Sequence, residues 1–254
     1  MKNHFMIAYS GNKRNECVDL YNEIKDKIEN IEYIIEPFCG SSAFSYYISL
    51  QHPKKFKYIL NDNNNFLIEL YETARDENKL NEFIIKVNNI LIDLNKEKYD
   101  KLNKNELIGW FIHNKIYYIR PGLFPLESKT KPIKKDINLI KNSPIINFLR
   151  TESIIFKNTD GIDIINEYKN NNKCLIFIDP PYLLACNAMY KDSKVNVYEY
   201  LYINKITDFK SIVLLCLESN WIINLLFSGL IKKNYNKLYQ LSKKKTNHLI
   251  ISNI

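Results

Sequence analysis

The 254-residue sequence is poor in the residues that mark loop-rich and cross-linked proteins. Only 6 glycines and 8 prolines are present, which argues against a low-complexity chain. The 5 cysteines are odd in number and show neither CxxC nor Cys/His spacing, so we expect no disulfide framework and no metal site. The longest apolar runs, such as IVLLCL, are too short to span a bilayer, and the first residues lack the apolar core of a signal peptide. These absences predict a soluble protein of the reducing cytoplasm, with neither a metal nor a membrane as partner.

What the chain does contain is enough apolar material for a large core, together with an excess of basic residues. Hydrophobic residues make up 46% of the sequence and aromatic residues 13%. Lys and Arg number 36 against 28 Asp and Glu, a formal charge of +8. Such an excess suits a polyanionic partner, because phosphate contacts release counterions. A lysine-rich solubilising surface explains the charge equally well, so charge permits nucleic-acid binding without demonstrating it.

Apolar segments typical of strands alternate with amphipathic segments typical of helices. This alternation predicts an α/β fold with a doubly wound, mostly parallel sheet, and two closing runs predict an antiparallel hairpin. The predicted strands are Glu32–Glu36, Phe56–Leu60, Ile154–Lys157, Leu175–Ile178, Ile212–Leu217, Lys237–Leu241 and His248–Ile251. The predicted helices are Asn15–Ile28, Ala43–Leu50, Phe66–Leu94 with a break near Asp76–Asn78, Ile162–Tyr168 and Asn220–Phe227.

Polar motifs follow the first two predicted strands, where ligands of such sheets bind. In EPFCGSS, Glu36 to Ser42, Gly40 allows close backbone approach and the amides of a helix N-terminus follow. Asp62 lies roughly 20 residues beyond Gly40, where a carboxylate commonly accepts hydrogen bonds from ribose hydroxyls. Together the two predict a cofactor site. The alternatives are an ordinary strand–helix turn and a helix-capping Asp62.

A third motif, Asp179-Pro180-Pro181-Tyr182, follows the very apolar strand CLIFI. Its prolines force a stiff, extended backbone directly after Asp179. The Asp179 carboxylate and the Pro180 carbonyl can accept the two N–H groups of an adenine amine, which frees the nitrogen lone pair to attack an electrophilic methyl group. Tyr182 offers a flat face to a base that has left its duplex. The alternative is a prolyl strand terminator with a buried tyrosine.

These motifs, in this order, resemble the Dam-type adenine-N6-specific DNA methyltransferases, which use S-adenosylmethionine. The similar segments are EPFCGSS, NDNNNFLIELY, CLIFIDPPY and the opening Tyr9-Ser10-Gly11-Asn12-Lys13. The resemblance implies a seven-stranded Rossmann-like methyltransferase sheet in residues 1–65 and 151–254. It also implies an inserted, mainly helical DNA-recognition domain in residues 66–150. The implied reaction is site-specific methylation of the N6 amine of a flipped-out adenine in duplex DNA.

The resemblance further implies individual roles. The implied catalytic residues are Asp179, Pro180, Pro181 and Tyr182. The implied cofactor-binding residues are Tyr9 and Lys13 at the methionine end, Glu36, Phe38 and Gly40 in the pocket, Asp62 at the ribose, Asp160 beside the adenine ring, and Asp179. The alternatives are a core aromatic for Tyr9, a solvated lysine for Lys13 and a helix cap for Asp160.

Within the insert, FIHNKIYYIRPGLFP resembles the family's recognition segment. The implied DNA-binding residues are Asn114, Lys115, Arg120, Lys129 and Lys131, with Lys134 and Lys135 in the same basic stretch. The alternative is a solvated loop, with Trp110, Tyr117 and Tyr118 in a small core. We expect residues 187–196 to close over the flipped base, and Lys243–Lys245 either to touch the DNA backbone or to form a solvated turn.

One residue departs from the family pattern, because Ser42 stands where the turn usually has its second glycine. If this position needs a positive φ, serine is strained there. Two other functions therefore stay open. One is a catalytically silent DNA-binding or regulatory subunit, and the other is methylation of another planar amine, such as RNA adenine, a cytosine amine or a protein glutamine. The expected partners are double-stranded DNA and, as a candidate, a cognate restriction endonuclease.

Overall fold

The described part of the protein is built around a seven-stranded mixed sheet. The computed structural model describes residues 13–116, 138–182, 197–238 and 245–254. Its strands are β1 Tyr33–Glu36, β2 Lys57–Asn61, β3 Ile154–Lys157, β4 Cys174–Ile178, β5 Ile212–Glu218, β6 Ile231–Leu238 and β7 Lys245–Ser252. They lie in the order β3-β2-β1-β4-β5-β7-β6. The first five are parallel, whereas β7 runs antiparallel to both β5 and β6, which confirms the predicted mixed α/β sheet with a closing hairpin.

Helices cover both faces of the sheet. They are α1 Cys17–Ile24, α2 Ala43–Gln51, α3 Asn65–Arg75, α4 Glu77–Ile92, α5 Lys96–Lys101, α6 Leu107–Phe111, α7 Asn138–Lys141, α8 Ile145–Leu149, α9 Gly161–Tyr168, α10 Val197–Ile203 and α11 Trp221–Leu226. A π-helical turn spans Ile112–Ile116, and a 3-10 turn spans Ile206–Asp208. Helices α1 to α8 pack on one face and α9 to α11 on the other, so neighbouring strand residues such as Ile34 and Ile35 enter different cores. None of these helices is long and apolar enough to cross a membrane.

The five parallel strands agree with their predicted bounds to about one residue. Covered on both faces, they need apolar side chains on both, and β4 is buried along its whole length. The hairpin differs, because β6 begins at Ile231 rather than at Lys237. Its residues 231–237, IKKNYNK, alternate half-buried and exposed side chains along the edge of the sheet. A polar edge strand of this kind lacks the apolar run by which strands are recognised in sequence.

The long predicted helix after β2 is broken where expected. Asp76 ends α3, and its carboxylate accepts hydrogen bonds from the Asn78 and Lys79 amides in the first turn of α4. Helix α1 is shorter than its predicted span of Asn15–Ile28. The short helices α5 to α8, and α10, were not predicted, since a few residues carry too little periodicity to identify them.

The described parts of residues 66–150 are helical and share one hydrophobic core with the sheet. The Phe148 ring in α8 lies 5.0 Å from the Tyr58 ring in β2 and 5.8 Å from the Tyr46 ring in α2. The Tyr71 ring in α3 lies 5.9 Å from the Phe156 ring in β3. The segment is thus anchored to the sheet, and its role as a separate DNA-recognition domain stays a prediction.

We expect Asp76→Ala to lower the free energy of unfolding by about 1 kcal/mol, because it leaves two amides at the start of α4 without their acceptor. Urea unfolding followed by circular dichroism measures the change. Asp76→Asn retains an acceptor oxygen and should come close to the parent protein. An alanine variant with the parent's stability would show that water satisfies these exposed amides equally well.

Candidate active site

The predicted motifs meet at one edge of the sheet. Strand β1 lies between β2 and β4, and all three run in the same direction. Their carboxyl ends therefore bring together Glu36, Asp62 and Asp179, each of which ends or follows one of these strands. In open α/β sheets this edge is where ligands bind.

The turn after β1 is held by side chains from β2 and α3. Gly40 has a φ of 46°, and its N–H donates to Asp62 Oδ2 at 3.0 Å. The Gly40 carbonyl accepts a hydrogen bond from the Tyr71 hydroxyl. The second oxygen of Asp62 accepts from the Asn64 N–H at 3.0 Å, while Asn64 itself caps α3. The alternative that Asp62 is the helix cap is therefore wrong, and its carboxylate instead fixes the glycine turn.

Glu36 places a buried carboxyl group at the start of this turn. Its side chain is 2% exposed, and Oε1 accepts the Ser45 N–H in the first turn of α2 at 2.8 Å. Burial raises the pKa of Glu36 to about 7, against the lowering effect of the Ser45 hydrogen bond. The carboxyl group thus titrates near neutrality.

Ser42 occupies a left-handed backbone conformation, with φ 52° and ψ 32°, immediately before α2. The residue is completely buried. A side chain in this region is sterically strained, by roughly 1–3 kcal/mol. The departure from the family's glycine therefore carries the conformational cost expected from the sequence.

Phe38 and Asp160 both lie near the start of α9. A Cβ added to Gly161 would lie 2.4 Å from Cζ of Phe38, so the aromatic ring packs directly on the glycine backbone. Asp160 is exposed and caps α9 by accepting the Ile162 N–H at 2.8 Å. The capping alternative for Asp160 is confirmed, while its place beside a cofactor adenine ring stays a prediction.

Sequence reasoning assigned no separate role to Asn61, the last residue of β2. Its amide nitrogen donates to the carbonyls of Pro37 and Thr159 at 2.8 and 3.0 Å, and its oxygen accepts the Thr159 N–H at 3.0 Å. Asn61 therefore ties together the segments that follow β1 and β3. The sequence feature that could have identified Asn61 is a polar residue at the end of an otherwise apolar strand.

Around the tetrapeptide Asp179–Tyr182, a buried ion pair is the main interaction. The Lys13 ammonium group pairs with Asp179 Oδ2, and the Tyr182 hydroxyl donates to Asp179 Oδ1 at 3.1 Å. Lys13 is only 3% exposed, and its nitrogen lies 5.2 Å from the centre of the Tyr182 ring. Burial by itself lowers the pKa of Lys13, but the charges of Asp179, Cys216 and Tyr235 and the hydrogen bond to Asp179 together raise the pKa above its usual value. The alternative of a solvated Lys13 is wrong, and its contact with a cofactor stays a prediction.

The terminal hairpin supplies further buried groups that sequence reasoning missed. Lys237 of β6 forms a 2.6 Å ion pair with Glu16. His248 of β7 is fully buried, and its ring lies 5.1 Å from that of Tyr182. Burial lowers the pKa of His248 to about 3, and the nearby charges of Lys13 and Lys237 add to the effect. Nothing in the sequence marks these residues, because they come to the site through long-range strand pairing.

The recognition residues predicted in the insert are only partly described. The Asn114 amide donates back to the Trp110 carbonyl at 2.8 Å, and Lys115 lies in the π-helical turn. Trp110 is buried and stacks on Phe66 at 5.7 Å, as the small-core alternative requires. The residues outside the described ranges are Tyr9, Tyr117, Tyr118, Arg120, Lys129, Lys131, Lys134, Lys135, residues 187–196, Lys243 and Lys244. The DNA contacts of this whole group stay predictions.

Among the described residues, no group of three or more His, Cys, Asp or Glu side chains could hold a metal ion. The described cysteines are buried free thiols: Cys17, Cys39, Cys174 and Cys216.

We expect Ser42→Gly to raise the free energy of unfolding by about 1 kcal/mol, because glycine adopts the left-handed conformation without steric strain. The matched control is Ser45→Gly in the right-handed part of α2, which should lower it by about 1 kcal/mol. Urea unfolding of both variants measures the contrast. If both variants lose the same free energy of unfolding, the backbone at Ser42 is not strained.

His248 should make stability fall in acid. Its ordinary pKa of 6.5 drops to about 3 in the folded protein, so below about pH 6.5 the unfolded chain binds a proton that the folded one does not. The stability that the protein gains by keeping His248 neutral is therefore fully present above pH 6.5 and is lost as pH falls toward 3. We expect His248→Phe to lose less stability than the parent protein between about pH 7.5 and about pH 5 in urea titrations. If the parent protein and the variant lose equal free energy of unfolding over this pH range, the pKa of His248 is not lowered in the folded protein.

Comparisons with known proteins agree with the motif resemblance. Residues 9–121 match the family model of the D12 class N6 adenine-specific DNA methyltransferases. No curated protein matched the sequence.

Two solved structures illustrate the structural comparison. An rRNA methyltransferase from Streptomyces viridochromogenes is 10% identical, with a TM-score of 0.45 over 96% of this chain and 86% of its own. A putative class I S-adenosylmethionine-dependent methyltransferase from Listeria monocytogenes is 9% identical, with a TM-score of 0.44 over 99% of this chain and 62% of its own.

The family match begins at the opening motif and includes the glycine turn, Asp62 and the first part of the helical segment. It confirms the resemblance inferred from the motifs. Residues 9–121 are thus similar to the D12 class N6 adenine-specific DNA methyltransferases, and this match supports an enzyme of the adenine-N6 methyltransferase type.

Proposed function

We propose that the protein transfers a methyl group from S-adenosylmethionine to the N6 amine of a flipped-out adenine at a specific site in duplex DNA. The observation that carries this proposal is the meeting of two motifs at one sheet edge. The glycine turn of residues 36–42 follows β1, and Asp179–Tyr182 follows the neighbouring strand β4. The family match over residues 9–121 supports adenine as the acceptor and DNA as the substrate.

The residues at this edge fit the cofactor. The Gly40 peptide is fixed by Asp62 and Tyr71, which leaves a preformed turn rather than a loop that must order on binding. Glu36 and Asp62 place two carboxyl groups at the ends of adjacent strands, where they suit a ligand with cationic groups and ribose hydroxyls. When bound there, S-adenosylmethionine would supply an electrophilic methyl group, whose bonding electrons stay on sulfur as the amine nitrogen bonds to the carbon.

The tetrapeptide is suited to hold the amine. The Asp179 carboxylate has about four acceptor sites, so it can accept an amine N–H while Lys13 and Tyr182 remain bound. The Pro180 carbonyl would accept the second N–H. These two acceptors turn the nitrogen toward tetrahedral geometry and point its lone pair away from the ring. After methyl transfer the cationic nitrogen passes one proton to the Asp179 carboxylate, which already accepts a hydrogen bond from that N–H and then releases the proton to solvent.

An adenine in a duplex must leave the base stack to reach these acceptors. The Tyr182 ring is 9% exposed, is held by Asp179 and packs on His248, and we propose that such a base stacks on this ring. The formal charge of +8 supports a polyanionic substrate. We place sequence recognition in residues 66–150, with S-adenosylmethionine and DNA as the only partners that the reaction itself requires.

Two other functions are distinguishable. The strained Ser42 favours a silent DNA-binding subunit that kept the fold, whereas the ion pair and hydrogen bonds around Asp179 favour a working catalytic site. Methylation of RNA adenine, a cytosine amine or a protein glutamine would need the same planar-amine site.

The decisive experiment incubates the protein with methyl-labelled S-adenosylmethionine and unmethylated duplex DNA of mixed sequence, and identifies the digested nucleosides. We expect labelled N6-methyladenine. We also expect Asp179→Asn, compared as protein that circular dichroism shows to be folded, to reduce the rate by at least about 100-fold, because the amide cannot replace the charged acceptor.

Asp163→Asn, which makes the same change on the exposed face of α9, is the matched control and should keep the parent's rate. Equal turnover in the Asp179→Asn variant would contradict the role of that carboxylate. A folded, DNA-binding protein that transfers no label would instead be the silent subunit, and label in RNA, cytosine or protein would identify a different acceptor.

A further inference from the structure

The tetrapeptide is held by two side chains outside the residues assigned above, both from the carboxyl-terminal half of the chain. The first is Tyr198 in α10. Its hydroxyl donates to the Pro181 carbonyl at 2.8 Å, and its ring is buried in the core beneath α9 to α11. Consecutive prolines leave the backbone few torsions of its own, so fixing the Pro181 carbonyl also fixes the adjoining Pro180 carbonyl. The Pro180 carbonyl is the proposed acceptor of the second amine N–H.

The second side chain is His248 in β7. Its ring meets the Tyr182 ring edge to face, with centroids 5.1 Å apart and planes at 68°. His248 is immobilised in turn, because it pairs with Glu218 of β5 and Tyr235 of β6 and its Nε2 lies 2.9 Å from the Thr246 hydroxyl. The ring is fully buried on one face of the sheet, where it packs against the rings of Tyr182 and Tyr235 and limits the movement of Tyr182.

Together these contacts restrict the tetrapeptide at three points. Asp179 holds the Tyr182 hydroxyl, His248 holds the Tyr182 ring, and Tyr198 holds the Pro181 peptide. Reactions that depend on aligned acceptors are sensitive to displacements of about 1 Å, which can cost about 100-fold in rate. The rigidity of this segment is therefore a catalytic requirement and not only a contribution to stability.

We propose that Tyr198 and His248 are positioning residues of the methyl-transfer site: Tyr198 sets the direction of the Pro180–Pro181 carbonyls, and His248 sets the plane of the Tyr182 ring on which the target base stacks. This inference rests on the proposed function. Tyr198 and His248 act through the tetrapeptide, so their loss should change the rate of transfer and the binding of the base, and leave cofactor affinity alone.

Tyr198→Phe tests the first role by removing only a hydroxyl group. We expect kcat to fall about tenfold, while cofactor affinity and the unfolding midpoint stay close to those of the parent. Tyr200→Phe is the matched control, because the Tyr200 hydroxyl lies in the same helix but donates to Asn166. The control should keep the parent's kcat.

His248→Ala and His248→Phe test the second role. The readout is the fluorescence of 2-aminopurine placed in duplex DNA at the position that the methyl-transfer assay maps. We expect the alanine variant to lose most of the flipping signal and to raise the KM for DNA about fivefold, and the phenylalanine variant to restore both by replacing the ring. Leu249→Ala removes a buried side chain from the same strand but from the opposite core, so it should lower stability without changing either quantity.

The outcomes separate the proposals. A parent protein that methylates no adenine contradicts the proposed function itself. An active parent with an equally active Tyr198→Phe variant, or with a full flipping signal in His248→Ala, overturns the positioning role of that residue. Losses of rate that run parallel to losses of cofactor affinity and of stability would overturn both roles, since they would mark these residues as merely structural.

Discussion

The buried ion pair between Lys13 and Asp179 joins two parts of the chain that are 166 residues apart. A charge buried without its partner is strongly destabilising, so each of these residues requires the other to be in place. The pair brings the segment before α1 to the end of β4, and β4 is held between β1 and β5. Glu16 and Lys237 add a second buried pair, which draws the terminal hairpin to the same place. The candidate active site is therefore assembled from the beginning, middle and end of the described chain.

Because the site is assembled in this way, several charged side chains are buried close together. Lys13, Glu16, Glu36, Asp179 and Lys237 lie close enough for their charges to affect one another. Two cations and three carboxyl groups compensate most of each other's charge, and the raised pKa of Glu36 relieves part of the remaining negative charge. An isolated ion pair would leave the tetrapeptide Asp179–Tyr182 with a single electrostatic support. A network of charges instead makes its geometry depend on several strands at once.

Much of this arrangement was predictable, for a physical reason. Parallel strands end at one edge, so residues such as Gly40, Asp62 and Asp179 could be placed together from strand positions alone. Buried strands were found because both their faces are apolar. Tyr198 and His248 could not be found in this way, because each is a single side chain whose role arises from a contact distant in sequence. The start of β6 was missed because this edge strand is rich in lysine and asparagine, so its sequence contains no apolar run that would mark a strand.

The order of strands also constrains how the chain assembles. In the described structure β6 reaches the rest of the sheet only through β7, which follows it in sequence and lies between β5 and β6. Strand β6 therefore gains a partner in the sheet only once β7, which follows it in sequence, is in place. Lys237 lies on β6 and His248 on β7, so both belong to this hairpin. What the hairpin contributes to the candidate site thus depends on the last strand of the described chain, and a truncation before β7 would remove His248 and leave β6 without its neighbour.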